Sequence, residues 1–240
     1  MPRAPIIDGY RALGLVRNPF VAEQTAGVEP AVWLDRAGQP PAPQPIARRL
    51  VQLLGPRGAG KTSLLLHWQA QQPGPYHYVE ADWRRWRFPP LAPLVYWDEL
   101  DRLAAPVRWL AMRAAAARGS TIVAATHIDL APLAQRHGLT VTTHTFAPIS
   151  TDELLAWAVR RIDHARLPDQ PLGLTLAPAL AAQIVTHAGT SWRVAADLLH
   201  IWAAERAKAA QTALEFGTDL TAIPDTFDLA ARLRGYHVSD

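Results

Sequence analysis

Short apolar runs alternate with amphipathic stretches from about Ile46 to Ile149, and beyond that point the alternation stops. The apolar runs predict five strands, at 50–54, 76–81, 93–97, 121–126 and 140–147. Between the third and fourth runs, residues 101–118 carry apolar side chains at helical spacing and end at Gly119. Because strands alternating with helices are typical of parallel sheets, we predict an α/β fold built on a five-stranded parallel sheet.

After Ser150 the pattern is helical only. Helical spacing is found at 151–165, 176–188 and 192–209, and Ser150 with Glu153 has the sequence of a capping box. These segments predict a small all-helical lid domain. The first 45 residues lack such a pattern and end in a proline-rich connector. The predicted organisation is therefore an N-terminal segment and linker (1–45), an α/β domain (46–149), a helical lid (150–210) and a C-terminal tail (211–240).

The loop after the first predicted strand has the sequence of a phosphate-binding loop. It reads Gly-Pro-Arg-Gly-Ala-Gly-Lys-Thr, the pattern G-x-x-x-x-G-K-[ST], between a strand and a helix. Its glycines let backbone N–H groups point inward, and the following helix adds its positive N-terminal end. Lys61 is expected to reach the β- and γ-phosphates of ATP, and the Thr62 hydroxyl to bind Mg²⁺. The predicted nucleotide-binding residues are Gly55, Pro56, Arg57, Gly58, Ala59, Gly60, Lys61, Thr62 and Ser63.

The third predicted strand ends in two carboxylates, Asp98 and Glu99. In open α/β sheets, ligands bind outside the carboxyl ends of the strands, so this end meets the phosphate loop. Asp98 is expected to hold Mg²⁺, and Glu99 to act as the general base for water that attacks the γ-phosphate. The alternative is a strand that leads into a helix cap. The following Asp101 departs from the D-x-x-G pattern of GTPases, which disfavours that class.

Composition narrows the chemistry further. The 240-residue chain is 49% hydrophobic and 19% charged, as globular proteins are. It contains no cysteine, which excludes disulfides, thiolate metal sites and thiol catalysis. No apolar run is long enough for membrane insertion and the N-terminus lacks a signal stretch, so we expect a cytoplasmic protein. The net charge of +3 permits contact with nucleic acid without requiring it.

A phosphate-loop sheet followed directly by a helical lid resembles the AAA+ ATPase superfamily, over about residues 13–208. The resemblance implies an ATP- and Mg²⁺-dependent ATPase that forms homo-oligomers and remodels or loads a nucleic-acid or protein partner. An ATP-gated adaptor with little turnover is the alternative.

The same resemblance implies roles for several polar residues. Thr126 corresponds to the sensor 1 residue that orients the attacking water, with His127 in its place if the register shifts by one. Arg193 corresponds to the sensor 2 arginine, which contacts the γ-phosphate from the lid. Arg136 corresponds to the arginine finger given to a neighbouring subunit, with Arg118 as the second candidate.

The N-terminal sequence from Gly14 to Phe20 is similar to the Gly-Leu-x-x-x-Pro-Phe opening of bacterial AAA+ ATPases from secretion-pathway and transposition systems. The similarity implies that Asn18, Pro19 and Phe20 lie beside the adenine of ATP. Some such proteins bind duplex DNA as oligomers, which makes duplex DNA or a protein the possible client. The alternative is that Leu15, Pro19 and Phe20 simply pack against the sheet as core residues.

Residues 82–90, between the second and third predicted strands, interleave three arginines with aromatic residues. Such a segment suits nucleic acid, because arginine pairs with phosphate and aromatic rings stack on bases. It equally suits a contact with another subunit or protein, in which tryptophan and arginine are favoured. A third interpretation is a surface elbow whose tryptophans are pinned to the core. The sequence leaves all three open.

Overall fold

The computed structural model describes residues 8–21, 32–36, 38–218, 227 and 229. Two compact units are formed. The sheet unit contains the described residues between 35 and 148, and the helical unit contains those of 8–21, 32–34 and from 149 onward.

The sheet unit is built on a five-stranded parallel sheet with the strand order β2-β3-β4-β1-β5. Its strands are β1 Arg49–Leu54, β2 Tyr76–Tyr78, β3 Leu94–Asp98, β4 Thr121–Thr126 and β5 Thr140–Thr145. Every residue of β3 and β4 is buried, as the unbroken apolar runs of a parallel sheet require. The predicted α/β fold with five parallel strands is confirmed.

Three α-helices accompany these strands, and two of them differ from the sequence pattern. They are α2 Lys61–Gln71, α3 Ala105–Ala117 and α4 Ala131–Arg136. The predicted helix at 101–118 begins later, because residues 100–102 form a separate 3-10 helix and Pro106 fixes the first turn of α3. The short helix α4 was not predicted, and neither was the 3-10 helix Trp83–Trp86.

The helical unit contains α1 Gly9–Ala12, α5 Thr151–His164, α6 Pro178–Ala188 and α7 Trp192–Glu215. The predicted capping box is present, with Glu153 N donating to Ser150 Oγ at 3.2 Å and Ser150 N donating to Glu153 Oε2 at 2.9 Å. Helix α7 runs beyond its predicted end at 209, because buried alanines continue along one face as far as Ala213. The first residues of the predicted tail are therefore helical, and most of the remaining tail lies outside the described residues.

The core of the helical unit includes the N-terminal segment. Leu13, Leu15 and Phe20 are buried in one apolar cluster with residues of α5, α6 and α7. The ring centroid of Phe20 lies 5.7 Å from that of Trp157 and 6.2 Å from that of Trp202. Leu15 and Phe20 thus pack within the helical unit, whereas the alternative given above placed them, with Pro19, against the sheet. Within the described part of the chain, no helix is both long and apolar enough to span a bilayer.

Candidate nucleotide-binding site

The loop between β1 and α2 turns through two glycines with positive φ, Gly58 at 78° and Gly60 at 94°. Side chains with a Cβ rarely adopt this conformation, so the glycines of the motif are needed for the shape of the loop. Helix α2 begins directly afterwards at Lys61, and no side chain caps it. Its first N–H groups are thus left for another acceptor, as in helices that bind anions at their N-termini.

Lys61 is held inside this loop, with 4% of its surface exposed. Its Nζ donates to the carbonyl oxygens of Gly55 at 2.9 Å and Pro56 at 2.8 Å. Burial lowers the Lys61 pKa, and the carboxylates of Glu99 and Asp98 act in the opposite direction. The loop therefore holds a cation that lacks contact with bulk water and faces negative charge.

Asp98 lies at the end of β3 and is completely buried. Its Oδ2 accepts a hydrogen bond from the Tyr76 hydroxyl at 3.0 Å, and its Oδ1 accepts one from Glu99 N at 3.0 Å. Burial raises the Asp98 pKa, while hydrogen bonds from Thr62 and Tyr76 act in the opposite direction. The structure thus brings together Thr62 and Asp98, the two residues predicted to bind the metal.

Glu99 has an unusual backbone and two basic neighbours. Its φ of 57° and ψ of 40° lie in the left-handed region, which costs a residue with a Cβ about 1–2 kcal/mol. Its Oε2 lies 3.0 Å from Arg102 Nε and 3.2 Å from His127 Nε2, and the side chain is 12% exposed. Left-handed non-glycine residues cluster at functional sites, so this backbone supports a functional interpretation of the carboxylate.

The two sensor 1 candidates have different surroundings. The Thr126 hydroxyl is buried, donates to Ile128 O at 2.9 Å and accepts from Ile128 N at 3.2 Å, so both of these bonds lie within the local turn. The His127 ring instead contacts both site residues, with Nδ1 3.4 Å from Lys61 Nζ and Nε2 3.2 Å from Glu99 Oε2. Of the two residues, only His127 presents its side chain to the lysine and the carboxylate.

Sequence reasoning missed two residues of this site. Tyr76 follows no motif, because its contact with Asp98 depends on the pairing of β2 with β3. Arg102 could have been predicted as an ion-pair partner of Glu99, because it lies three residues after Glu99 in the sequence. Its guanidinium also donates to the Tyr78 hydroxyl at 2.8 Å.

Both arginine-finger candidates are exposed and lie outside this cluster. Arg136 ends α4, and Arg118 is the C-cap of α3. Within the described residues, neither side chain forms an ion pair or a hydrogen bond. Each is thus free to contact another molecule.

Arg193, Asn18, Pro19 and Phe20 belong to the helical unit. Arg193 is exposed in the first turn of α7, where the Ser191 hydroxyl accepts a hydrogen bond from Val194 N at 3.3 Å. A basic residue at this end of a helix is mildly unfavourable against the helix dipole, which favours a role with an anion.

The side chain of Asn18 is fully used within the helical unit. Its Nδ2 donates to the Tyr10 hydroxyl and to His200 O, each at 3.0 Å, and its Oδ1 accepts from Phe20 N at 2.9 Å. Asn18 and Pro19 also line a cavity of about 230 Å³ together with Arg161. Phe20 is buried in the core described above, so packing explains it without a ligand.

Comparisons with known proteins give only a distant likeness. No protein-family model matches the chain, and a search of curated proteins found no match. Among solved structures, the RuvB Holliday junction branch migration motor of Thermotoga maritima matches with 17% identity and a TM-score of 0.44, over 71% of this chain and 57% of the RuvB chain. One mutant of that protein matches with 18% identity and a TM-score of 0.46 over the same shares of the two chains. Another mutant matches with 13% identity and a TM-score of 0.44, over 78% of this chain and 81% of the RuvB chain.

This chain therefore spans little more than half of the first two RuvB chains. The fold class is defined by the five-stranded parallel sheet itself.

Proposed function

We propose that this protein is a Mg²⁺-dependent ATPase of the AAA+ type. The observation that carries the proposal is the position of Lys61, which is buried in a glycine-shaped loop and faces Asp98, Glu99 and His127. Lys61 and His127 come after β1 and β4, and Asp98 and Glu99 lie at the end of β3; these three strands are neighbours in the sheet. Ligands of open α/β sheets bind at the carboxyl ends of the strands. A polyphosphate is the ligand that suits a buried ammonium and a free helix N-terminus there.

Thr62 and Asp98 are the residues that we propose for Mg²⁺. A hydroxyl and a carboxylate supply the oxygen ligands that this ion prefers, and the Thr62 hydroxyl is close enough to Asp98 to act on its pKa. Mg²⁺ bound with ATP is usually held by one or two carboxylates together with phosphate oxygens and water. Bound Mg²⁺ would neutralise charge that develops on the phosphates during hydrolysis. Among the described residues, no larger group of acidic and histidine side chains forms a separate metal site.

Glu99 is the general base in this proposal. Its carboxylate takes a proton from the attacking water as the bond between the γ-phosphorus and the bridging oxygen breaks. His127 touches both Glu99 and Lys61, so it is placed to orient water between the carboxylate and a phosphate. Lys61 then stabilises negative charge on the β- and γ-phosphate oxygens.

We extend the proposal to the residues outside this cluster for which the AAA+ resemblance implies a role. Asn18, Pro19 and Phe20 would lie beside adenine, and Arg193 would sense the γ-phosphate from the helical unit. Arg136 or Arg118 would complete the site of a neighbouring copy, since both are exposed and unpaired within the described residues. The oligomer would then remodel or load a partner, either nucleic acid or protein.

One contact favours the second candidate function, an ATP-gated adaptor with little turnover. The Arg102 guanidinium lies 3.0 Å from Glu99 Oε2 and is itself fixed by Tyr78. An ion pair of this kind restrains the carboxylate and competes with its contact to water. If the pair persists when ATP is bound, hydrolysis would be slow and the bound state would serve as a signal to a partner.

The first test separates binding from hydrolysis. Glu99→Gln is expected to keep ATP affinity and to lower turnover at least about 100-fold, because the base is lost while the phosphate contacts stay. The measurements are calorimetric ATP binding and steady-state phosphate release. Glu215→Gln, at an exposed position at the end of α7, is the matched control and should change neither quantity. Unchanged turnover in Glu99→Gln would remove Glu99 as the base.

The second test concerns the loop. Lys61→Ala is expected to abolish measurable ATP binding, because it removes the only cation that the loop encloses among the described residues. Circular dichroism checks that the variant is folded. Near-native affinity in a folded Lys61→Ala protein would contradict the phosphate-loop interpretation.

A further inference from the structure

Residues 82–90 form an exposed aromatic and basic segment between β2 and β3, called here the aromatic segment. Trp83, Trp86 and Phe88 are 67%, 57% and 49% exposed, and none belongs to a core cluster. The interpretation of these tryptophans as pinned to the core is therefore wrong. Burying an aromatic side chain is strongly favourable, so three exposed rings within six residues indicate a surface that meets another molecule.

The aromatic segment is held in one conformation at several points. Trp83–Trp86 form a 3-10 helix, and Asp82 Oδ1 accepts a hydrogen bond from Arg84 N at 2.9 Å at its start. Ala104 N donates to Arg85 O at 3.0 Å, which joins the segment to the beginning of α3. Trp97 Nε1 donates to Pro90 O at 3.2 Å and fixes the far end. A surface ordered in advance loses little conformational entropy when it binds.

The arginines of the aromatic segment fall into two groups. Arg84 is neutralised, with NH1 3.2 Å from Glu80 Oε1 and NH2 2.8 Å from Asp82 Oδ2. Arg85 and Arg87 are exposed and form no ion pair with any described carboxylate. The Arg87 guanidinium lies 4.7 Å from the ring centroid of Trp83. Arg85 and Arg87 thus remain available for anions, and Arg87 lies against one face of the exposed Trp83 ring.

We propose that the aromatic segment binds single-stranded nucleic acid. Unpaired bases stack on Trp83 and Trp86, and Arg85 and Arg87 contact the phosphates that alternate with those bases. A duplex fits less well, because its bases already stack on one another and leave exposed tryptophan rings unused. A protein partner would accept the rings, but the two free arginines beside them match a regularly charged strand better. The proposal does not require ATP binding or hydrolysis.

The test uses the whole chain without nucleotide and a fluorescent oligo(dT) of about 20 nucleotides, with affinity measured by anisotropy. Stacking contributes enough per base that the Trp83→Ala, Trp86→Ala double variant should bind at least about tenfold more weakly. The matched control is Trp109→Ala, because Trp109 is also exposed, at 41%, with the Arg113 guanidinium 5.5 Å from its ring centroid. This control should change affinity less than about twofold.

Salt dependence gives an independent measurement. If Arg85 and Arg87 each contact one phosphate, the Arg85→Ala, Arg87→Ala variant should lower the slope of log affinity against log salt by about 1.4. An unchanged slope would mean that these arginines do not meet phosphate and would overturn the proposal. This measurement also decides the matter if the double tryptophan variant fails to fold.

Further binding measurements identify the class of ligand. Oligo(U) in place of oligo(dT) distinguishes RNA from DNA, and tighter binding to either supports the proposal. Tighter binding to the same strand annealed to its complement would overturn it, as would the absence of binding at 20 mM salt, a condition in which phosphate contacts are strongest. Self-association that is lost in the double tryptophan variant, without oligonucleotide binding, would identify the segment as a protein contact and also overturn it.

Discussion

Asp98 is a carboxylate without any exposed surface, at the end of a strand whose five residues are all buried. Burial disfavours its charged form and raises its pKa, and the hydrogen bonds from Thr62 and Tyr76 offset this only in part. Ionisation of the Asp98 carboxyl therefore costs the folded protein stability. A divalent cation bound at Asp98 would relieve that cost, so stability and metal binding are coupled at this residue.

Asp98→Asn removes this pH-dependent cost and, at every pH, one acceptor oxygen, so its free energy of unfolding relative to wild type should be more favourable at pH 8 than at pH 4. Because the Asp98 pKa is raised on folding, the wild-type carboxyl costs stability above its folded pKa and regains it as the pH falls through that value. The advantage of the variant over wild type in free energy of unfolding should accordingly narrow from pH 8 towards pH 4. Urea unfolding at several pH values measures this difference. The exposed Asp169→Asn is the control and should show no such narrowing; a pH-independent gain in Asp98→Asn would refute the argument.

The sequence predicted the residues of this site only where they are local. The loop residues and the Asp98-Glu99 pair follow fixed spacing beside apolar runs, so a single stretch of sequence was enough. Tyr76 and Arg102 depend on strand pairing and on side-chain direction, which no linear motif records. Thr126 and His127 were both named as candidates from the sequence, and only the structure shows that their side chains have different contacts.

At the level of elements, the central strands were predicted almost completely and the small elements were not. Strands β1 and β4 match the predicted 50–54 and 121–126 to within one residue, because both are mostly apolar and their central four residues are buried. The outer strands β2 and β5 end earlier than predicted, since they pair on one side only and have mixed exposure. Helix α1 has four residues, too few for helical spacing to appear in the sequence.

Helix α1 packs closely against α7, and this contact gives a prediction about stability. A Cβ added at the buried Gly9 would lie 2.0 Å from Ala207 O, a backbone atom that cannot move alone. Gly9→Ala should therefore lower the free energy of unfolding by about 1–3 kcal/mol, measured by urea denaturation. Gly173→Ala is the matched control, because its Cβ would first meet Leu13 Cδ2 at 3.2 Å, the end of a flexible side chain. An equal loss of unfolding free energy in the two variants would contradict this prediction, because it would mean that α1 can move away from α7 at little cost.

For the whole molecule, the proposed ATPase depends on a second copy. If a neighbour supplies an arginine, the rate of ATP hydrolysis per subunit should climb with protein concentration at saturating Mg·ATP. Arg136→Ala should abolish this climb, and Arg118→Ala should leave it intact. The opposite result would assign the finger to Arg118. A flat, slow rate together with tight ATP binding would favour the adaptor.

Mixing two inactive variants tests the same idea more directly. Lys61→Ala keeps its arginines but cannot bind ATP, whereas Arg136→Ala binds ATP but lacks the proposed finger. A mixed oligomer places an intact arginine beside an intact phosphate loop, so activity should return when the two are combined. A mixture as inactive as its components, although sedimentation shows mixed oligomers, would exclude Arg136 as a residue that acts in trans.

Only two lysines occur in the chain, and they differ sharply in environment. Lys61 is enclosed by the carbonyl oxygens of its own loop, whereas Lys208 is exposed on α7. An amine-acylating reagent used on the folded protein should thus modify the side chain of Lys208 and spare that of Lys61. The chain therefore contains its own reporter and internal standard: the ratio of label on the two peptides, read by mass spectrometry, records how often the loop opens.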